Sequence, residues 1–197
     1  MQRNGMADDG AVNLRPAVPL TSALVILAVA VPVAHAEPPN PLYVLVDTAA
    51  QRLATADPVA AFKWIEGGPI TDTPRAQQVL DAVGADAGIH RIDPEYVRRA
   101  FGDQIDATEG IEYTRFGQWK FDPQSAPSTA PDLSASRAAI DGFNKIMVTE
   151  MATNWDELHA PGCAADLDAA RGEVGTARSL DPLYTQALTF ATRSYCR

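Results

Sequence analysis

Four proline-headed segments constrain this chain more than any other feature. Asp57-Pro58, Thr73-Pro74, Asp93-Pro94 and Asp181-Pro182 share one form. An acceptor side chain caps a helix, and proline takes the first helical position. The cap satisfies an amide that the first turn leaves unpaired, and proline gives up an N–H that would have found no partner there. Alternating apolar and polar runs bounded by Asn-Gly or Asp-Gly turns, the mark of hairpins, do not occur. The chain is therefore expected to be all-α, a bundle of about six helices.

Apolar spacing fills in the spans. A first helix is expected from about Leu42 to Ala56, with Leu42, Leu45, Val46, Ala49 and Leu53 as its buried stripe. A second starts at Pro58 and stops at Gly67-Gly68-Pro69. A third starts at Pro74 and turns Leu80 and Val83 inward. The fourth is long, from Pro94 to about Trp119, and carries Tyr96, Val97, Phe101, Ile105, Thr108, Glu112 and Phe116 at near-helical spacing. Residues 123–131 read as a Ser/Pro/Ala linker. Asp132 or Ser134 opens another long helix, with Ile140, Phe143, Met147, Met151 and Trp155, which ends at Pro161-Gly162. Cys163–Ser179 and Pro182–Tyr195 form a closing pair.

The first 36 residues read as targeting. Arg3 and Arg15 lie in a polar lead, an apolar run follows from Leu20 to Val33, and Ala34-His35-Ala36 is a small-x-small cleavage pattern. The run is about 14 residues, short of the ~20 that span a bilayer as a helix. The expectation is a cleaved signal peptide, 1–36, and one domain, 37–197; the alternative is an uncleaved anchor. Asp8-Asp9 is unusual in such a lead, and Met6 is a second candidate start.

The expected mature part keeps the whole net charge of −9, because the lead holds two Arg and two Asp. So acidic a chain is a poor partner for nucleic acid. An anionic ligand would need a local basic pocket set against the global field. No second long apolar run remains to engage a membrane after cleavage. Cys163 and Cys196 meet an oxidising compartment on export, so a disulfide is expected; two free buried thiols are the alternative.

Chemistry-bearing motifs are few. The chain lacks a phosphate-binding G-x-x-x-x-G-K-S/T loop, G-x-G-x-x-G, H-E-x-x-H and G-x-S-x-G. His90 and His159 are the histidines beyond residue 36 and lie far apart, which argues against a metal site and a Ser-His hydrolase. What stands out is charge on faces that otherwise look apolar. Arg52 precedes Leu53, and Lys63 lies between Phe62 and Trp64. Arg75 opens the third helix three residues after Asp72. Thr108 and Glu112 are one turn apart on the stripe of Phe101 and Ile105. Arg137 lies early in the helix after the linker. Helix geometry carried across Pro58 would bring Lys63 within about 20° of the Arg52 face, although Pro58 is expected to break it. Each of these cations could equally be solvated or surface-paired. Periodicity alone gives a helical bundle with several cations near its core and no reaction.

Longer strings say more. Val46-Asp47 through Arg52-Leu53 and Ala56-Asp57-Pro58-Val59-Ala60-Ala61-Phe62-Lys63-Trp64 resemble the secreted chorismate mutases. So do Ile92-Asp93-Pro94-Glu95-Tyr96-Val97 and residues 104–113, Gln-Ile-Asp-Ala-Thr-Glu-Gly-Ile-Glu-Tyr. Pro131-Asp132-Leu133-Ser134-Ala135-Ser136-Arg137 and Ser194-Tyr195-Cys196 complete a match collinear from about Leu42 to the C-terminus.

The resemblance implies an all-α fold of chorismate mutase type II kind, an exported (periplasmic or secreted) homodimer with each site enclosed by one chain, and a Claisen rearrangement of chorismate to prephenate without cofactor or metal. A pericyclic shift needs no nucleophile and no net proton transfer. It needs a compact conformer and groups that favour the charge separation of the transition state. By resemblance, Arg52, Arg75 and Arg137 clamp carboxylates, and Lys63 donates to the ether oxygen. Asp72 holds the ring hydroxyl or orients Arg75, Thr108 adds a hydrogen bond, and Glu112 faces the ether oxygen in protonated form. A glutamine is expected four residues after Arg75. That position is Val79, with Gln78 beside it as the candidate substitute. Two rivals stay open: an exported helical protein that binds a small anion, with its cations scattered outward, and a mutase scaffold without activity.

Overall fold

The computed structural model describes residues 39–196, so the proposed signal segment lies outside the described residues. Eight helices and no strand occur among them: α1 (Tyr43–Ala54), α2 (Ala56–Glu66), α3 (Thr73–His90), α4 (Pro94–Phe121), α5 (Leu133–Thr153), α6 (Trp155–Leu158), α7 (Cys163–Ala177) and α8 (Pro182–Ala191). No helix among the described residues is long and apolar enough to cross a membrane.

Two of the four proline-headed starts stand as read. Asp93 and Asp181 accept from the amides of Glu95 and Tyr184, with Pro94 and Pro182 opening α4 and α8. The other two need correction. The cap of α3 is Asp72, not Thr73, and its carboxylate accepts from the Arg75 amide. Asp57-Pro58 is not a start: α2 begins at Ala56, and Thr55 keeps helical torsions of −72° and −10°. Proline is tolerated there because the first-turn amides of α2 have no helical acceptor to lose. Asp57 instead pairs with Arg115 of α4 at 2.7 Å. Asp132 caps α5 through the Ser134 amide. That helix stops at Thr153, short of the expected Pro161-Gly162, and the four-residue α6 follows. The closing helix α8 ends at Ala191, short of Tyr195. The count is thus eight where about six were expected.

α4 runs through the middle of the bundle and packs on α2, α3 and α8, while α1 packs on α5, α7 and α8. The α1 stripe read from sequence, Leu42, Leu45, Val46, Ala49 and Leu53, is fully buried. It meets Tyr96, Val97 and Phe101 of α4 and Met147 and Met151 of α5 in one core. Apolar burial of this kind stabilises by roughly 1.5–3 kcal/mol per large side chain. The Cys163–Cys196 disulfide is formed and ties the start of α7 to the chain end beyond α8. Beside it Tyr195 is fully buried, and its carbonyl accepts from the Tyr96 hydroxyl.

Candidate active site

A cavity of about 260 Å³ opens where α1 to α5 converge. Arg52 enters from the last turn of α1 and Lys63 from the last turn of α2. Asp72 and Arg75 come from the start of α3, Thr108 and Glu112 from mid-α4, and Arg137 from the start of α5. Phe62, Ile70, Val79, Ile105 and Ile140 supply apolar wall. The cations therefore meet around one space, and the outward scatter of the binding-protein rival does not occur.

Arg52 is 4% exposed. Its Nε donates to Asn144 Oδ1 at 2.8 Å and its Nη1 to Thr108 Oγ1 at 3.4 Å. Burial pulls its pKa down to about 10, with Arg75 adding to the fall and Tyr195 opposing it. It stays charged at neutral pH, with three guanidinium protons left for a ligand. Lys63 Nζ donates to Glu112 Oε2 at 2.7 Å and to the Ile70 carbonyl at 2.8 Å, leaving one proton. Glu112 is 3% exposed, and burial pushes its carboxyl up to about 7 against the pull of Lys63; Glu109 adds to the rise. Arg75 Nη2 donates to Asp141 Oδ1 at 2.7 Å. Arg137, at the rim, makes no hydrogen bond or ion pair with the described residues.

Seven of the eight residues singled out from sequence line this cavity. The eighth, Gln78, is exposed on α3 and lies outside the lining. Helical residues return to one face after four positions, so the wall residue one turn beyond Arg75 is Val79, which is buried. Val79 presents a methyl surface where a polar group was expected. Sequence reading missed Asn144 and Asp141, the partners of Arg52 and Arg75. Spacing offered a signal: Arg137, Ile140 and Asn144 step by three and four along α5 and share a face. It also missed the Ile70 carbonyl, which no side-chain motif encodes.

The four cations carry positive charge into a chain of net charge −9. Three guanidinium groups can each grip a carboxylate through paired hydrogen bonds. An ammonium and a protonatable carboxyl in contact can serve one oxygen from two directions. Such a site fits a compact dianion.

Residues 44–113 match the family model of chorismate mutase type II. A secreted chorismate mutase of Mycolicibacterium smegmatis is 57% identical over 176 residues, spanning 89% of this chain and 97% of that relative. The chain belongs to the chorismate mutase family. A secreted chorismate mutase of Mycobacterium tuberculosis is 53% identical over 166 residues, 84% of this chain and 83% of that relative. The solved chorismate mutase of Burkholderia thailandensis superposes with a TM-score of 0.75 at 32% identity, over 80% of this chain and 99% of that one. That superposition covers more of the chain than the 44–113 match.

Proposed function

We propose that the chain converts chorismate to prephenate by an intramolecular Claisen rearrangement, as an exported enzyme. The observation that carries this is the contact of Lys63 and Glu112 at 2.7 Å inside a cavity that also holds Arg52, Arg75 and Arg137. As the ether C–O bond breaks, negative charge grows on its oxygen. The remaining Lys63 proton meets that charge, and a protonated Glu112 adds a second donor. Preorganised donors of this kind are worth about 3–4 kcal/mol each. The arginines grip the two carboxylates and hold the compact conformer, which lowers the entropic part of the barrier. Arg75, whose amide is fixed by Asp72, keeps four guanidinium protons beyond its bond to Asp141. The unused oxygen of Asp72 suits the ring hydroxyl, and Thr108 supports the Arg52 grip. The two relatives named as secreted and the oxidised cysteine pair support a mature chain outside the cytoplasm, with residues 1–36 removed. The reading includes a homodimer, which sedimentation of the purified protein measures. Loss of chorismate absorbance on adding purified protein, with prephenate as product, tests the activity. Absorbance that stays constant overturns it.

A pH test follows from Glu112. An ionised carboxylate would repel the oxygen it should assist, so the working form is the protonated one. With its pKa at about 7, kcat/KM is expected to be flat below that pH and to fall about tenfold per pH unit above it. A bound dianion raises the pKa further, so the limb in kcat lies at higher pH. Glu112→Gln keeps a donor at all pH values and should flatten the alkaline limb. If that variant is inactive throughout, Glu112 does not act as the neutral donor.

A further inference from the structure

The loop of residues 67–72, between α2 and α3, is both a wall of the cavity and a hydrogen-bond partner of its ammonium donor. Gly67 and Gly68 take φ of 82° and 122°, a region that favours glycine, and let the chain turn back over the opening. Outside the helices, no backbone–backbone hydrogen bond holds residues 67–71 among the described residues. The loop is held by side chains instead. Ile70 is buried, and its carbonyl accepts from Lys63 at 2.8 Å. Thr71, the next residue, turns outward, and its hydroxyl donates to Glu109 Oε2 at 2.7 Å. A threonine hydroxyl has one proton, so the Tyr113 hydroxyl, 3.1 Å away, is the donor in the second contact. Tyr113 to Thr71 to Glu109 is a directed chain of hydrogen bonds. Both of its ends stand one turn apart on α4, flanking Glu112 in sequence.

We infer that Thr71, Glu109 and Tyr113 form a latch, and that these positioning residues fix the 67–72 loop so that its Ile70 carbonyl aims the Lys63 ammonium into the cavity. The latch itself rests on the contacts above; its effect on turnover rests on the chorismate reading. Lys63 has two anchors, Glu112 on α4 and Ile70 on the loop, and the latch joins that loop to the same helix. The distance between the two groups that serve the ether oxygen is then set by one closed circuit. Misplacement of a donor by an ångström costs about 100-fold in rate, so a partial loosening should cost less.

The test compares Thr71→Val, which keeps the shape and removes the hydroxyl, with Thr71→Ser, which restores it. Thr71→Val is expected to lower kcat about tenfold, with a smaller change in KM and a melting temperature within about 2 °C of wild type. Backbone NMR order parameters at residues 70–72 should fall, and Thr71→Ser should recover both readouts. The double variant Thr71→Val/Tyr113→Phe should lose no more than Thr71→Val alone, since the valine already removes the bond that the phenol makes. Wild-type kcat in Thr71→Val, no recovery in Thr71→Ser, or losses that multiply in the double variant would each overturn the latch. Should the wild-type protein leave chorismate unchanged, the chorismate reading fails on its own. Order parameters at residues 70–72 then still decide the latch, and values equal in wild type and Thr71→Val overturn it.

Discussion

Replacement of Lys63 by alanine is expected to lower kcat for chorismate by about 10²- to 10³-fold, the cost of removing one preorganised donor from developing charge. The ammonium is mostly buried, with 15% of its side chain exposed, so water cannot substitute freely. Its two fixed contacts leave a single proton to be aimed. The variant is expected to fold, because the Glu112 left behind need not be an unpaired buried charge. Lys63 is the main influence holding the Glu112 pKa down against burial, so without it the carboxyl takes up a proton more readily. Each arginine, by contrast, grips a carboxylate that is charged before and during the reaction. Its loss should appear more in KM and less in kcat than the loss of Lys63. Steady-state kinetics on Lys63→Ala, beside alanine variants of Arg52, Arg75 and Arg137, measures both quantities. A Lys63→Ala enzyme with kcat within threefold of wild type would remove the ammonium from the chemistry.

Conversion of Cys163 and Cys196 to serine is expected to destabilise the protein by roughly 3–4 kcal/mol, through the entropy regained by the opened loop in the unfolded chain. The two residues are 33 apart in sequence. For a domain of this size the loss corresponds to a fall of about 10 °C in melting temperature. The crosslink closes a segment that carries α7 and α8, whose mutual packing is slight beside their packing on α1 and α4. It also holds the chain end at Tyr195, a fully buried ring whose carbonyl receives the Tyr96 hydroxyl. Thermal melts of the double serine variant, and of the wild type with and without reductant, measure the effect. A shift below about 3 °C would mean that packing around Tyr195 already fixes the segment without the covalent tie.

What could be read from the chain was whatever is local. Asp93-Pro94 and Asp181-Pro182 opened helices as written, because a cap is a bargain between residues two or three apart. The α1 stripe was legible for the same reason. Asp57-Pro58 misled because the local signal lost to a distant partner: Asp57 is used by Arg115, across the interface of α2 and α4. In the cavity, resemblance supplied Arg52, Lys63, Asp72, Arg75, Thr108, Glu112 and Arg137, whereas spacing alone left each cation indistinguishable from a solvated one. The groups that orient them escaped both. Asn144 is 92 residues from Arg52 and Asp141 is 66 from Arg75, and the Ile70 oxygen belongs to the backbone. Partners of this sort exist only once helices are assembled.

The joint at Thr55 has a consequence for which changes this chain can accept. Thr55 stays in the right-handed helical region but closes a tighter i→i+3 turn, so α2 follows α1 with no loop between them, and Arg52 and Lys63 are separated only by short helical segments. Their relative bearing is a matter of residue count. Deleting or inserting a single residue between them would swing one by about 100° and point it away from the other. Side chains along residues 53–62 can therefore vary under ordinary packing rules, but the length of that stretch is locked as firmly as the identity of either cation.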